Sequence, residues 1–377
     1  MLIHYLSGSR ADFGLMSACL HTINKSKRHN IQIVATGQHM LSKYGSTIDE
    51  IRAEKFEIAA EIPVHLTGAS GAEMALALAT ELKGLIHCWE KNRPDMILLL
   101  GDRGEMLAGA LAAVHLGIHI GHIHGGERSG TLDESFRHAI SKLSHFHFPA
   151  TIESAERLVR MGENSDHIYV IGAPGLVGIT SLAGDCDRKT VARQFNLPED
   201  RPIALVIYHP VVQEAEHSAE HIKAILEAST MNGLSQIILR PNSDAGGQAI
   251  DKFLDSINSQ PNVRVLAHLP RTDYCKTLAG VDLLIGNTSS GIIESGTFGT
   301  PFVNVGNRQN NRQRNLANTF DCSDVNVSAI NAAIVHALHS SPEQKNVYGD
   351  GTADARLLAA LDHISLQPEI LLKCNAY

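Results

Sequence analysis

The sequence lacks any cysteine pair at metal-binding or redox spacing. Its six thiols, Cys19, Cys88, Cys186, Cys275, Cys322 and Cys374, are dispersed along 377 residues and form no CxxC. Dispersed thiols in a chain of this size fit a reducing cytosol, with most of them inert core residues. No apolar run approaches the roughly 20 residues that a membrane span needs. The amino terminus opens on a short apolar strand, LIHYL, and shows neither the basic segment nor the long apolar core of a signal peptide. A cytoplasmic protein with no membrane partner is expected. Positive charge is in deficit: 32 Lys and Arg against 40 Asp and Glu leave a net charge of −8. That argues against a nucleic-acid partner and means that an anionic ligand needs a local basic pocket. Neither half carries GxGxxG, which argues against a nicotinamide or flavin cofactor. The 21 histidines are scattered without ligand spacing, so no metal and no other cofactor are expected. There is no short-period repeat, no heptad pattern and no low-complexity tract.

What is present describes an ordinary globular α/β protein, with 44% apolar and 19% charged residues. The length is comfortable for two domains. Short Ile/Val/Leu runs alternate with segments of helical period, the βαβ signature of parallel sheets. In the first half the strands fall at Ile3–Leu6, Ile31–Thr36, Met96–Leu100, Ile118–Ile123, Phe146–Pro149 and Ile168–Ile171. The second half restarts the pattern at Ile203–Tyr208, Gln236–Leu239, Val263–Leu266, Leu283–Ile285 and Pro301–Val305. Helical periodicity marks Gly71–Lys91, Asp133–Ser144, Gln213–Thr230, Gly247–Asn258 and Ser290–Thr297. A Gly- and Pro-rich stretch without periodicity marks a hinge near Pro174 to Arg188. Two Rossmann-like domains facing across a cleft follow: residues 1–174, residues 175–351, and 352–377 as a helix and tail packing back on the first domain.

In an open parallel sheet, ligands sit beyond the carboxyl ends of the strands, and that is where the ionisable residues collect. Asp102 follows one buried-type strand; His122, His124, Glu127 and Asp133 follow the next. Carboxylates and histidines converging there suggest acid/base work on a bound small molecule. Asp102 and Asp133 each have a plainer reading as a helix N-cap. His138, His145 and His147 read as packing or locally bonded residues. In the second half, GNTSSGIIESGTFG (286–299) puts Ser289, Ser290 and Gly291 at a helix start. There, N–H groups and the helix dipole favour a diphosphate; the alternative is a serine-rich cap with Glu294 as its partner. His209 and Asn242, at consecutive strand ends, fit nucleotide contacts, with turn chemistry the alternative for Asn242. Arg10 and Arg312 supply cations.

These segments resemble the UDP-N-acetylglucosamine 2-epimerases, specifically the hydrolysing branch. The motifs that carry the resemblance are GSRADFG (8–14), TGQHM (36–40), GDRGE (101–105), HIHGGE (122–127), DESFRHAISKLSH (133–145), GNTSSGIIE (286–294) and YGDGTA (348–353). The resemblance implies the GT-B architecture, with UDP held mainly by the second domain. It also implies conversion of UDP-N-acetylglucosamine and water to N-acetylmannosamine and UDP in sialic acid biosynthesis. UDP is eliminated across C1–C2, water adds to the resulting 2-acetamidoglucal, and C2 is reprotonated on the opposite face. The alternative substrate within this branch is a UDP-2,4-diacetamido-2,4,6-trideoxy sugar. A non-hydrolysing 2-epimerase, a GT-B glycosyltransferase and a non-catalytic UDP-sugar binder are the more distant readings. By motif, Asp102, Glu127 and Asp133 are the acid/base residues. Arg10, His209, Arg312, Ser289 and Ser290 hold the diphosphate, and Glu294 the ribose. Where many relatives carry HIEGGE, this chain has His124, so the proton transfer falls to His124 or to Glu127. A homodimer or homotetramer is implied as well.

Overall fold

The computed structural model describes residues 1–41, 47–64, 71–129, 133–241, 246–258 and 260–376. The chain divides into two compact units. One comprises Met1–Val177 with Tyr348–Tyr377, the other Gly178–Val347.

The first unit is a parallel sheet of six strands: β1 (Leu2–Ser7), β2 (Asn30–Ala35), β3 (Glu57–Glu61), β4 (Met96–Leu100), β5 (His119–Ile123) and β6 (Phe146–Phe148). Their order across the sheet is β3-β2-β1-β4-β5-β6. β4, MILLL, is buried along its whole length, as expected of a strand covered by helices on both faces. On one face, Tyr5 and Leu98 pack with Phe13, Met16 and Leu20 of helix Arg10–Lys25 and with Leu357 and Leu361 of helix Ala353–His363. On the other, Leu6, Ile97 and Leu99 meet Leu85, Trp89, Met106 and Ile140 from the helices Gly71–Lys91, Gly104–Leu116 and Asp133–Leu143.

The second unit repeats the plan with β7 (Ile203–Ile207), β8 (Ser235–Leu239), β9 (Val263–Leu266), β10 (Leu283–Gly286), β11 (Phe302–Val305) and β12 (Thr319–Cys322). These parallel strands are ordered β12-β11-β10-β7-β8-β9. Both sheets therefore have the doubly wound Rossmann order. The order reverses between β1 and β4 in one and between β7 and β10 in the other, which are the places where such sheets bind ligands.

Three differences from the sequence reading have clear causes. β3 (EIAAE) and β12 (TFDC) are edge strands, too polar or too small in side chain to stand out by composition. Ile168–Ile171 does not form a strand; only Ile168 makes a bridge, to His147. Tyr169 and Ile171 donate to the carbonyls of His147 and Pro149, but Pro149 has no N–H to extend the ladder. The second domain boundary also falls earlier than residue 351. Tyr348–Gly351 belong to the first unit, where the Tyr348 carbonyl accepts from the Ala173 N–H at 2.7 Å. Helix Ala353–His363 is then tied to helix Arg10–Lys25 and the turn after it. Thr22 donates to Asp354 at 2.8 Å, and Arg28 and His29 pair with Asp362 at 2.7 and 3.0 Å. Among the described residues, no helix is long and apolar enough to cross a membrane.

Candidate active site

Three of the four acid/base candidates meet at the carboxyl ends of β4 and β5, around a residue that sequence reasoning did not single out. Arg137, 2% exposed, projects from helix Asp133–Leu143. Its Nη2 donates to Asp102 and its Nη1 to the carbonyl of His124 at 2.8 Å, while Glu127 Oε2 lies 3.9 Å from Nη1. The His124 Nδ1 is hydrogen-bonded to Glu127 Oε1. One buried guanidinium thus faces two carboxylates and fixes the backbone between them. A buried charge persists only when paired and hydrogen-bonded in this way. Asp102 does not cap a helix: the following helix begins at Gly104 with Arg103 as its N-cap residue. Asp133 is the first residue of its own helix, one turn ahead of Arg137, and is exposed.

His124 and Glu127 are brought together by a strained turn. His124 has φ +61°, in the left-handed region, which costs a side-chain-bearing residue roughly 1–2 kcal/mol. Gly126 follows at φ +75°, and a Cβ there would stand 2.3 Å from the Ser154 carbonyl. Gly126 therefore lets the turn press against helix Ile152–Arg160, whose Arg157 donates to the Gly126 carbonyl. This folds the chain back so that the His124 imidazole reaches Glu127.

His122 takes a supporting place. Its Nε2–H donates to the Gly101 carbonyl at 2.8 Å, and its Nδ1 accepts from Ser141 Oγ at 3.0 Å. Burial pushes its pKa down to about 3, so it stays neutral and holds the residue next to Asp102. His138, His145 and His147 bond locally. His138 lies 3.6 Å from Glu134, His145 accepts from the Ile120 N–H at 3.0 Å, and His147 donates to Glu163 at 2.8 Å.

At the β1 side of the same sheet, Asp12 accepts from the Gly8 and Ser9 N–H groups at 3.0 and 2.8 Å and from Ser7. Burial pushes its carboxyl up to about 6. Arg10, first in its helix, is ion-paired with Glu50 at 3.0 Å. Glu81 is 1% exposed, and burial pushes it up to about 9, with Glu105 adding repulsion.

In the second unit, β7 and β10 deliver His209 and Asn287 side by side. The Asn287 amide accepts from the His209 N–H at 2.7 Å and donates to the His209 carbonyl at 2.8 Å. Its own carbonyl accepts from Arg308 at 3.1 Å and Gln309 at 2.9 Å. Burial, with Arg308 nearby, lowers His209 to about 3, so its imidazole is neutral. The helix expected over Ser290–Thr297 is two short pieces, Ser289–Ile293 and Ser295–Phe298. Thr288 caps the first through its hydroxyl. Ser289 and Ser290 lie in the first turn and are half-buried. Gly291 is buried, and a Cβ there would sit 2.5 Å from the Phe302 ring, so packing on β11 accounts for that glycine. Glu294 is buried, accepts from Ser290 Oγ at 2.6 Å and pairs with Arg271 at 2.8 Å. It is therefore not the capping partner of the helix start. Arg312 is half-buried, and Arg314 pairs with Asp321 at 3.0 Å. Asn242 lies outside the described residues. Among the described residues, no cluster of His, Cys, Asp and Glu could hold a metal ion.

The residues that sequence reasoning missed are Arg137, Asn287, Arg271 and Tyr274, whose hydroxyl is hydrogen-bonded to Ser290 Oγ. Arg137 had a usable signal. Helical period places it on one face with Ile140 and Ser141, both buried, and a charge on a buried face calls for a partner.

Residues 21–362 match the family model described as UDP-N-acetylglucosamine 2-epimerase. A Legionella pneumophila protein named UDP-N,N'-diacetylbacillosamine 2-epimerase (hydrolyzing) is 44% identical, covering all of this chain and 99% of that protein. A Neisseria meningitidis UDP-N-acetylglucosamine 2-epimerase is 32% identical over 81% of the chain and 80% of its own length. A Campylobacter jejuni GDP/UDP-N,N'-diacetylbacillosamine 2-epimerase (hydrolyzing) is 31% identical over 82% of the chain and 81% of its own length. Among solved structures, the Neisseria meningitidis UDP-GlcNAc 2-epimerase bound to UDP-GlcNAc superposes with a TM-score of 0.82 at 18% identity, covering 96% of this chain and 99% of that one.

Proposed function

The chain belongs to the UDP-N-acetylglucosamine 2-epimerase family, and from that premise we propose that it is a hydrolysing 2-epimerase acting on UDP-N,N'-diacetylbacillosamine. The observation that carries the substrate is the 44% identity to the Legionella protein of that name, along essentially the whole of both chains. The Neisseria relative named for UDP-N-acetylglucosamine is 32% identical over a shorter span. The sequence alone pointed first to UDP-N-acetylglucosamine, because both branches share every motif quoted above.

In the proposed reaction, C2–H is deprotonated as the C1–O bond to UDP breaks, leaving a glycal. Water then adds at C1 and a proton returns to the opposite face of C2. The products are UDP and the free manno-configured 2,4-diacetamido-2,4,6-trideoxy sugar. Asp102, His124 and Glu127 are the proton-transfer group, with Asp133 alongside on the helix of Arg137. Two supports are the meeting of Asp102, His124 and Glu127 at the carboxyl ends of β4 and β5 and the buried Arg137 guanidinium that donates to Asp102 and faces Glu127. His209, Ser289, Ser290 and Arg312 are the diphosphate ligands of the second unit. The reading is supported by the placement of His209 and the serine turn on either side of the β7/β10 reversal.

The test is incubation with each UDP-sugar in heavy-oxygen water, followed by product NMR and mass spectrometry. The expected result is label on the anomeric oxygen of the manno product and at least a tenfold higher kcat/KM for the diacetamido sugar. A preference for UDP-N-acetylglucosamine overturns the substrate, and no UDP from either overturns the activity.

A further inference from the structure

The carboxyl-terminal tail ends its run against the far end of the helix that carries Arg137. Lys373, only 20% exposed at its side chain, donates from Nζ to the carbonyls of Ser141, Lys142 and Ser144 at 2.9, 2.9 and 2.6 Å. These carbonyls belong to the last turn of helix Asp133–Leu143 and the residue just beyond it. Such groups have no partner within a helix, and a cation there is favoured by the helix dipole. The same ammonium pairs with Glu163, which is fully buried and also holds His147 and Lys142, each at 2.8 Å. The Ala376 N–H donates to the Gly162 carbonyl at 2.8 Å and keeps the tail in place.

From this clamp two routes lead to Asp102. One runs along the helix to Arg137, which donates to Asp102 and to the His124 carbonyl. The other runs from the Ser141 hydroxyl to His122 and from His122 to the carbonyl of Gly101, the residue before Asp102. The helix is therefore registered against the β4 loop at two points, and Lys373 fixes the end from which both are reached.

The geometry points to Lys373 as a positioning residue: by pinning the carboxyl end of helix Asp133–Leu143, it sets where Arg137 and His122 place Asp102 for proton transfer. Misplacing a reacting group by about 1 Å can cost on the order of a hundredfold in rate, so a clamp remote from substrate governs turnover rather than affinity. This inference rests on the function proposed above. UDP release by the unaltered protein tests that function, and the ratios among variants test the clamp.

The experiment compares Lys373→Met, Lys373→Arg and Lys142→Met by steady-state UDP release and by thermal unfolding. Lys142 shares Glu163 with Lys373 and also donates to the Met161 carbonyl and to Asn375 of the tail, but its ammonium makes no bond to the helix-end carbonyls, so its loss weakens the Glu163 cluster and the tail while leaving the Lys373–carbonyl bonds in place. The expected result is a kcat at least tenfold lower in Lys373→Met with KM within twofold, partial recovery in Lys373→Arg, and a kcat within twofold of the starting protein in Lys142→Met. Equal kcat losses in Lys142→Met and Lys373→Met, an unchanged kcat in Lys373→Met, or a loss that falls on KM overturns it. If Lys373→Met does not fold, Lys373→Gln, which is shorter, uncharged and has too few donors for the three carbonyls, is read by the same ratios.

Discussion

The side-chain amide of Asn287 is hydrogen-bonded at both of its ends to the backbone of His209, joining the tips of β10 and β7 where the strand order of the second unit reverses. Only a neutral amide presents one donor and one acceptor in that spacing. Asn287→Asp places a second acceptor against the His209 carbonyl and leaves buried polar groups unmatched, at a cost of about 1–3 kcal/mol. A lower melting temperature and UDP binding weakened roughly tenfold, read by calorimetry, are expected; unchanged binding would separate this turn from the nucleotide.

Arg137 serves Asp102 and the His124 carbonyl from two different nitrogens. A lysine offers a point charge without that fork. Arg137→Lys is therefore expected to lose on the order of a hundredfold in kcat, about 2.7 kcal/mol in barrier height. Retention of more than a third of the rate in UDP release assays would show that charge alone suffices.

The left-handed backbone at His124 separates its conformational from its chemical contribution. His124→Gly and His124→Ala both delete the imidazole, but only glycine adopts that conformation freely. The glycine variant should unfold at higher urea than the alanine variant, by roughly 1 kcal/mol, while both lose turnover. Near-normal turnover in either one removes His124 from the proton path.

Glu81 makes stability depend on pH with a definite sign. Burial raises its carboxyl from 4.5 to about 9 in the folded chain, so between those values the unfolded state binds fewer protons than the folded one. Stability from this residue is complete below about pH 4.5 and is lost as pH rises toward 9. Glu81→Gln keeps the shape and removes the titration. In urea titrations from pH 5 to 9, the variant should gain on the parent as pH rises; parallel curves would contradict the buried, protonated carboxyl.

Legibility in the sequence followed burial on two faces. Central strands such as MILLL and IALVI are apolar runs with no polar alternation, and they are also the strands whose ends carry Asp102 and His209. Edge strands such as EIAAE share their composition with ordinary loops. The site followed the same division. His124 and Glu127 lie three residues apart, in one turn, and were visible together. Arg137 is ten residues beyond Glu127 on a helix, and its link to Asp102 exists only once that helix packs on the sheet. Gly291 shows the converse. Its sequence reading was a backbone N–H at a helix start, whereas the contact with the Phe302 ring from the neighbouring strand, which leaves no space for a Cβ, exists only in the folded chain.

The return of the chain to the first unit at Tyr348 has a consequence for synthesis on the ribosome. The second unit, Gly178–Val347, is contiguous and can close its core as soon as its last strand and helix emerge. The first unit cannot, because one side of helix Arg10–Lys25 waits for helix Ala353–His363, made more than 300 residues later. The portion translated first is thus the portion completed last, and until then an apolar helix face near the start of the chain stands open to chaperones.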